Sequence, residues 1–132
     1  MKNLLYIVLL SLACCLTTGS CGKTDEAGKA AQAAKTIYDS LFAGNVGMFI
    51  DSHFDTDSIP DQFKLERVEN ARLFLEQQDA EHRGVNSVRI SRAEYDDSLS
   101  TAMVFLIFCY GDSTNEEVVV PMIRKNDTWL LR

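Results

Sequence analysis

Proline is scarce in this 132-residue chain, with only 2, and glycine reaches only 7. Collagen-like sequence and Pro/Gly-rich disorder are thereby excluded. Basic residues are also in deficit: 13 Lys and Arg stand against 19 Asp and Glu, for a formal net charge of -6. Phosphate backbones require clustered positive charge, so nucleic acid is excluded as a partner. No apolar run is long enough to cross a bilayer; the longest, near the N-terminus, spans roughly 13 residues where about 20 are needed. Internal repeats and low-complexity tracts are absent. What remains is 46% hydrophobic and 24% charged, the balance of one globular domain.

The N-terminal run has a purpose of its own. Lys2 supplies a positive start, an apolar stretch follows from Leu4 to about Leu16, and the small residues Thr17 to Ser20 lead into Cys21. Such a tripartite segment is a secretory signal. A cysteine directly after small residues at its end resembles the lipobox of bacterial lipoproteins, with Cys14 as a competing site. The resemblance implies cleavage before Cys21, acylation of its sulfur and anchoring by two or three chains, enough for stable attachment. Gly22 in place of aspartate after the cysteine is similar to outer-membrane sorting in enterobacterial lipoproteins. The expected organisation is a signal peptide over 1–20, a lipidated Cys21 and short tether over 21–26, and one domain over 27–132. Of the 4 cysteines, only Cys109 would then stay free. Its apolar surroundings predict a buried, inert thiol.

The mature chain divides by hydrophobic period. Ala27, Ala30, Ala31, Ala34, Ile37, Tyr38 and Leu41 make one helical stripe, stopped by Gly44-Asn45. A short helix follows, with Val46, Phe49 and Ile50 inward. Ser58 as N-cap, Pro60 in the first turn and Asp61 open a third helix, which runs to about Arg83 with Gly84 as its cap. Its expected stripe is Leu65, Val68, Ala71, Arg72 and Leu75, widened by Leu73 and Phe74. On its outer face, Arg72 with Glu76 and Asp79 with Arg83 are spaced as i,i+4 pairs, and His82 near its end complements the helix dipole. Strands are expected over 85–94, 100–110, 116–124 and 128–132. The second is apolar on both faces, as a strand covered on both sides should be. Pro121 predicts a bulge or an edge in the third.

Helices followed by an antiparallel meander make an α+β class. The helix end Tyr38-Asp39-Ser40-Leu41-Phe42-Ala43-Gly44-Asn45 and the closing hairpin from Ile123 through Trp129 to Leu131 resemble the nuclear-transport-factor-2-like fold. In that cone-shaped fold, three N-terminal helices pack on a curved four-stranded antiparallel meander. Small bacterial lipoproteins of this layout look similar; a cystatin-like meander is the alternative. The resemblance implies either enzymes, which place a carboxylate or histidine on the concave sheet face, or non-catalytic binders. Fold alone does not choose between them.

Residues 101–109 contain no Asp, Glu, His or Lys, which argues against catalysis of the family type. The remaining catalytic candidates are His53 and Asp55, with Asp51 and Asp57 nearby, as an acid-base couple at the cone mouth. Tyr38, Phe42, Phe49, Phe54, Phe105 and Trp129 are candidates to line an apolar pocket. Asp55, Asp57 and Glu66 fall at positions 1, 3 and 12 of a calcium loop, but Ile59 and Pro60 break that template. No metal site and no cofactor motif is expected. Ser40, Ser58 and Ser98 each follow Asp and precede an apolar residue, a pattern that resembles envelope O-glycosylation sites.

The leading expectation is a non-enzymatic, lipid-anchored envelope domain that binds a protein partner or a small apolar ligand. The alternative is a degenerate isomerase- or hydrolase-like enzyme using His53 and Asp55. A filled cone would favour the first. A cavity of about 300 Å³ or more with His53 or a buried carboxylate in its wall would favour the second.

Overall fold

The computed structural model describes residues 21–132; the leader segment and Cys14 lie outside them. Three helices, α1 (Cys21–Phe42), α2 (Val46–Asp51) and α3 (Asp61–His82), precede four strands. These are β1 (Val85–Asp96), β2 (Thr101–Tyr110), β3 (Asn115–Lys125) and β4 (Thr128–Leu131). They form one antiparallel sheet in chain order, the helix-then-meander architecture expected from the hydrophobic periods.

The alanine stripe does what its spacing predicts. Ala30, Ala31, Ala34, Ile37 and Leu41 are buried, and their small size lets α1 lie close against the sheet. Gly44 takes φ 94°, a geometry that frees the chain to turn. The Asn45 side chain then accepts the Met48 amide at 3.2 Å and starts α2. One boundary moves. The helix runs back through 21–26, read from the sequence as tether. Glu26 meets the Arg124 guanidinium of β3 at 2.9 Å, so the folded body begins before residue 27.

Helix α3 departs further from its sequence pattern. Pro60 is its N-cap residue, in extended geometry and without a side-chain cap bond. The Ser58 hydroxyl instead donates to the Asp55 carbonyl at 2.9 Å, inside the preceding turn. Because proline holds the chain extended there, the expected Ser58 cap does not form. Ala71 and Gln78 are the buried residues, with Phe74 and Leu75 half-buried between them. Leu65 and Leu73 were expected inward but are 70% and 51% exposed. Leu73 is two residues from Ala71 and so faces the other way. Neither i,i+4 pair, Arg72 with Glu76 or Asp79 with Arg83, closes to ion-pair distance among the described residues. Arg83 (φ 60°) and Gly84 (φ 79°) end the helix together in left-handed geometry.

Burial along β2 alternates strictly. Ala102, Val104, Leu106, Phe108 and Tyr110 are buried, whereas Met103 is exposed and Phe105, Ile107 and Cys109 are half-buried. The expectation of cover on both faces is therefore corrected. The helices occupy one side, and no described element lies over the other. Cys109 is on that open side, half-exposed rather than buried. Hydrogen bonds from Ser87 and Arg89 hold its thiol below the ordinary range.

Pro121 sits in unbroken register opposite Met103, so β3 has no bulge there. β4 pairs only as far as Met122 with Leu131, and the proline's missing N–H falls where that strand has ended. Asn126 (φ 51°) and Asp127 (φ 61°) form the two-residue hairpin between β3 and β4, residue types that tolerate the left-handed geometry such turns need.

Candidate functional site

A cavity of about 490 Å³ opens between the helices and the inner face of the sheet. α1 contributes Tyr38 and Leu41, α2 contributes Phe49 and Ile50, and β2 and β3 contribute Phe108 and Val118. His53, from the turn after α2, and Arg67, Asn70, Ala71 and Phe74, from α3, complete the wall. The aromatic side is a connected set: Tyr38 lies edge-on to Phe49 at 5.5 Å between ring centres and 5.5 Å from Phe108. Phe49 is edge-on to the His53 ring at 5.1 Å. Burial raises the Tyr38 hydroxyl above its usual range, so it stays a neutral donor at any physiological pH.

His53 and Asp55 are both near this mouth, yet they do not form a couple. His53 Nδ1 lies 3.0 Å from the Phe49 carbonyl and 3.2 Å from the Ile50 carbonyl. Two acceptors on one nitrogen make Nδ1 the protonated atom, and the neutral ring then carries its lone pair on Nε2. The Asp55 carboxylate instead takes both guanidinium branches of Arg67, at 2.8 Å each. This fork-to-fork pair holds Asp55 below the ordinary aspartate value, chiefly through the Arg67 hydrogen bonds, while desolvation opposes the shift. Arg67 escaped the sequence reading, since nothing in spacing alone links residue 67 to residue 55. Asp51 and Asp57 are exposed.

The six pocket candidates separate. Tyr38 and Phe49 line the cavity. Phe42 stands behind it, 5.0 Å from Phe108 and 6.1 Å from Phe74. Phe54 is exposed outside it. Phe105 is on the opposite sheet face beneath the Arg92 guanidinium, 3.7 Å from its ring centre. Trp129 is buried against Tyr95, well along the core. A period-two strand separates even-numbered from odd-numbered side chains, so Phe105 and Phe108 cannot share a face.

A second polar cluster ties the end of α3 to the β2–β3 turn. His82 stacks on the Tyr110 ring at 4.1 Å and lies 3.1 Å from Asp112. Tyr110 donates to Glu116 at 2.6 Å, and burial, then this bond, raise its hydroxyl far above its usual range. The Thr114 hydroxyl and amide, followed by His82, push Asp112 down to about 2. Both depressed carboxylates predict the same acid response. A lowered folded-state value gives stability that is present above the ordinary aspartate value of 3.8 and is lost as pH falls through the folded one. In urea denaturation, Asp55→Asn should flatten the loss of stability below pH 4 and cost no more than about 1 kcal/mol at pH 7.

Among the described residues, no three His, Cys, Asp or Glu side chains converge as a metal site, and no helix is long and apolar enough to cross a membrane. No protein-family model matches the chain, and no curated protein matches it. The fold does have a solved counterpart, a Campylobacter jejuni protein provisionally described as an NTF2-like transpeptidase. It is 13% identical, with a TM-score of 0.63 over 76% of this chain and 94% of that one. Three helices followed by a four-stranded antiparallel sheet, with this likeness, make the fold nuclear-transport-factor-2-like α+β.

Proposed function

We propose that this chain is a bacterial lipoprotein of the cell envelope, held through Cys21, whose domain binds a small apolar ligand without chemical turnover. The cavity of about 490 Å³ carries the binding half of this reading. Its walls are mostly aromatic and aliphatic, with few polar groups, the usual make-up of small-molecule sites. The signal-and-cysteine pattern ending at Cys21 carries the anchoring half, and its Gly22 favours the outer membrane.

The cavity with His53 in its wall also favours the enzyme reading, which needs a histidine facing substrate. Two observations weigh against that reading. Asp55 is committed to Arg67 and does not orient His53. No carboxylate lines the cavity. The transpeptidase description of the structural neighbour does not carry over: acyl transfer needs a nucleophile, and the wall contains no Ser, Cys or Thr.

Two variants test the proposal. Cys21→Ala should abolish palmitate labelling and release the protein from membranes; continued labelling would move the anchor to Cys14. Asn70→Trp adds a ring at the exposed rim of the cavity. Native mass spectrometry of protein extracted from membranes should show a bound apolar molecule that Asn70→Trp loses. A ligand-free native protein, or equal occupancy in the variant, would refute binding in the cavity. Turnover that vanishes in His53→Gln would install the enzyme reading.

A further inference from the structure

We propose that a second pocket, between the C-terminal ends of α1 and α3, binds a free α-amino acid with an apolar side chain. The pocket has a volume of about 380 Å³, within the range of small-molecule sites. It is walled by the end of α1, the last turns of α3 and the turn into β1, and it shares no residue with the aromatic cavity.

Gln78 is the residue that calls for a ligand. It is 9% exposed, and its Oε1 is buried with no hydrogen-bond partner among the described residues. A buried acceptor without a donor is costly and uncommon. A ligand N–H in this pocket removes that cost.

The surroundings define the donor. Asp79, the next residue, is exposed and makes no ion pair among the described residues. Gly84 makes room for its carboxylate, since a Cβ there would lie 2.8 Å from Asp79 Oδ1. Helices α1 and α3 end beside the pocket at Phe42 and His82, and helix C-termini carry partial negative charge. An amide oxygen, a carboxylate and two such helix ends favour an ammonium group, which supplies three donors.

A bare cation leaves Arg83 unmatched. That residue also lines the pocket and, among the described residues, makes no ion pair. A carboxylate matches its planar fork of donors. A bare anion would instead meet Asp79, so a zwitterion satisfies both. The Arg83 amide donates to the Asp79 carbonyl at 3.1 Å, which keeps the two side chains one helical turn apart. One carbon of an α-amino acid carries both of its charges, so a single small molecule spans the two. Phe42, Leu75 and Val85, half-buried in the wall, are left to receive an apolar side chain.

The test is titration of L-leucine, L-valine and L-methionine into the detergent-solubilised, 15N-labelled protein, followed through its amide resonances. At least one should saturate with a Kd below about 1 mM. The shifts should centre on the Gln78 side-chain amide and the Gly44 and Gly84 backbone amides, with Asn70 in the aromatic cavity unmoved. For L-leucine as ligand, L-leucinamide lacks the carboxylate and 4-methylpentanoate lacks the ammonium; each should bind at least tenfold more weakly. Asp79→Asn changes an exposed side chain, so it should keep the fold and cost at least tenfold in affinity. Arg83→Gln should bind the amino acid and its amide alike, and Gln78→Leu should lose binding while its circular dichroism stays native. If Gln78→Leu does not fold, Asp79→Asn decides. Absence of shifts with all three amino acids at about 20 mM overturns the proposal, because Oε1 then meets only water. Amide and acid binding equally well to the native protein, full affinity in Asp79→Asn, or shifts centred on Asn70 overturn it as well.

Discussion

Replacing Trp129 with alanine should lower folding stability by about 3–5 kcal/mol, the range for deleting a large buried aromatic side chain. The ring is 6% exposed and stands edge-on to Tyr95, 5.8 Å between centres. It belongs to β4, a strand of only 4 residues in which Trp129 and Leu131 are the buried ones. Leu131, the other buried residue of that strand, is also tied through its backbone to Ser52 and Phe54. Loss of Trp129 should therefore also loosen the turn that carries His53. Because this is the chain's only tryptophan, the measurement is urea denaturation followed by circular dichroism. A loss below about 1 kcal/mol would show that the ring does not function as core. Trp129→Phe should be much milder. The indole N–H is buried with no hydrogen-bond partner among the described residues, and its removal offsets part of the lost packing.

Among the described glycines, Gly111 is the one whose replacement by alanine meets the closest contact, and Gly111→Ala should be strongly damaging. A Cβ at residue 111 would lie 2.3 Å from the Arg83 carbonyl oxygen and 3.0 Å from its carbon. Backbone atoms cannot swing away as a side chain would. The close approach exists because the Gly111 amide donates to the Gly84 carbonyl at 2.9 Å and the Asp112 amide to the His82 carbonyl at 3.0 Å. These bonds fasten the end of α3 to the sheet and satisfy its last carbonyls. A loss of about 2–4 kcal/mol is expected, combining overpacking with weakened bonds. Gly28→Ala is the control: nothing lies within 4 Å of its added Cβ. There the helix should gain about 0.5–1 kcal/mol. Equal effects at the two positions would contradict the contact at Arg83.

Much of the fold could be read in the chain because it rests on local period. The alanine stripe of α1, the Gly44-Asn45 stop and the Asn126-Asp127 hairpin all follow from short-range sterics and hydrogen bonding. Within α3 the same logic was less informative. Leu65, Leu73, Ala71 and Phe74 are all apolar, and helical spacing does not say which of them a distant element will cover. The strand β2 failed in the same way: its residues are apolar on both sides, yet only one side has helices to meet.

The order of elements, the antiparallel meander and the α+β class were settled by the amino-acid sequence itself, since each depends on residues close together along the chain. The tertiary structure alone decided that Arg67 claims Asp55, that Phe105 and Phe108 part to opposite faces, and that Cys109 meets solvent. Such relations join residues that are distant in sequence, or turn on which face of an element finds a neighbour. Only the packed chain sets those distances.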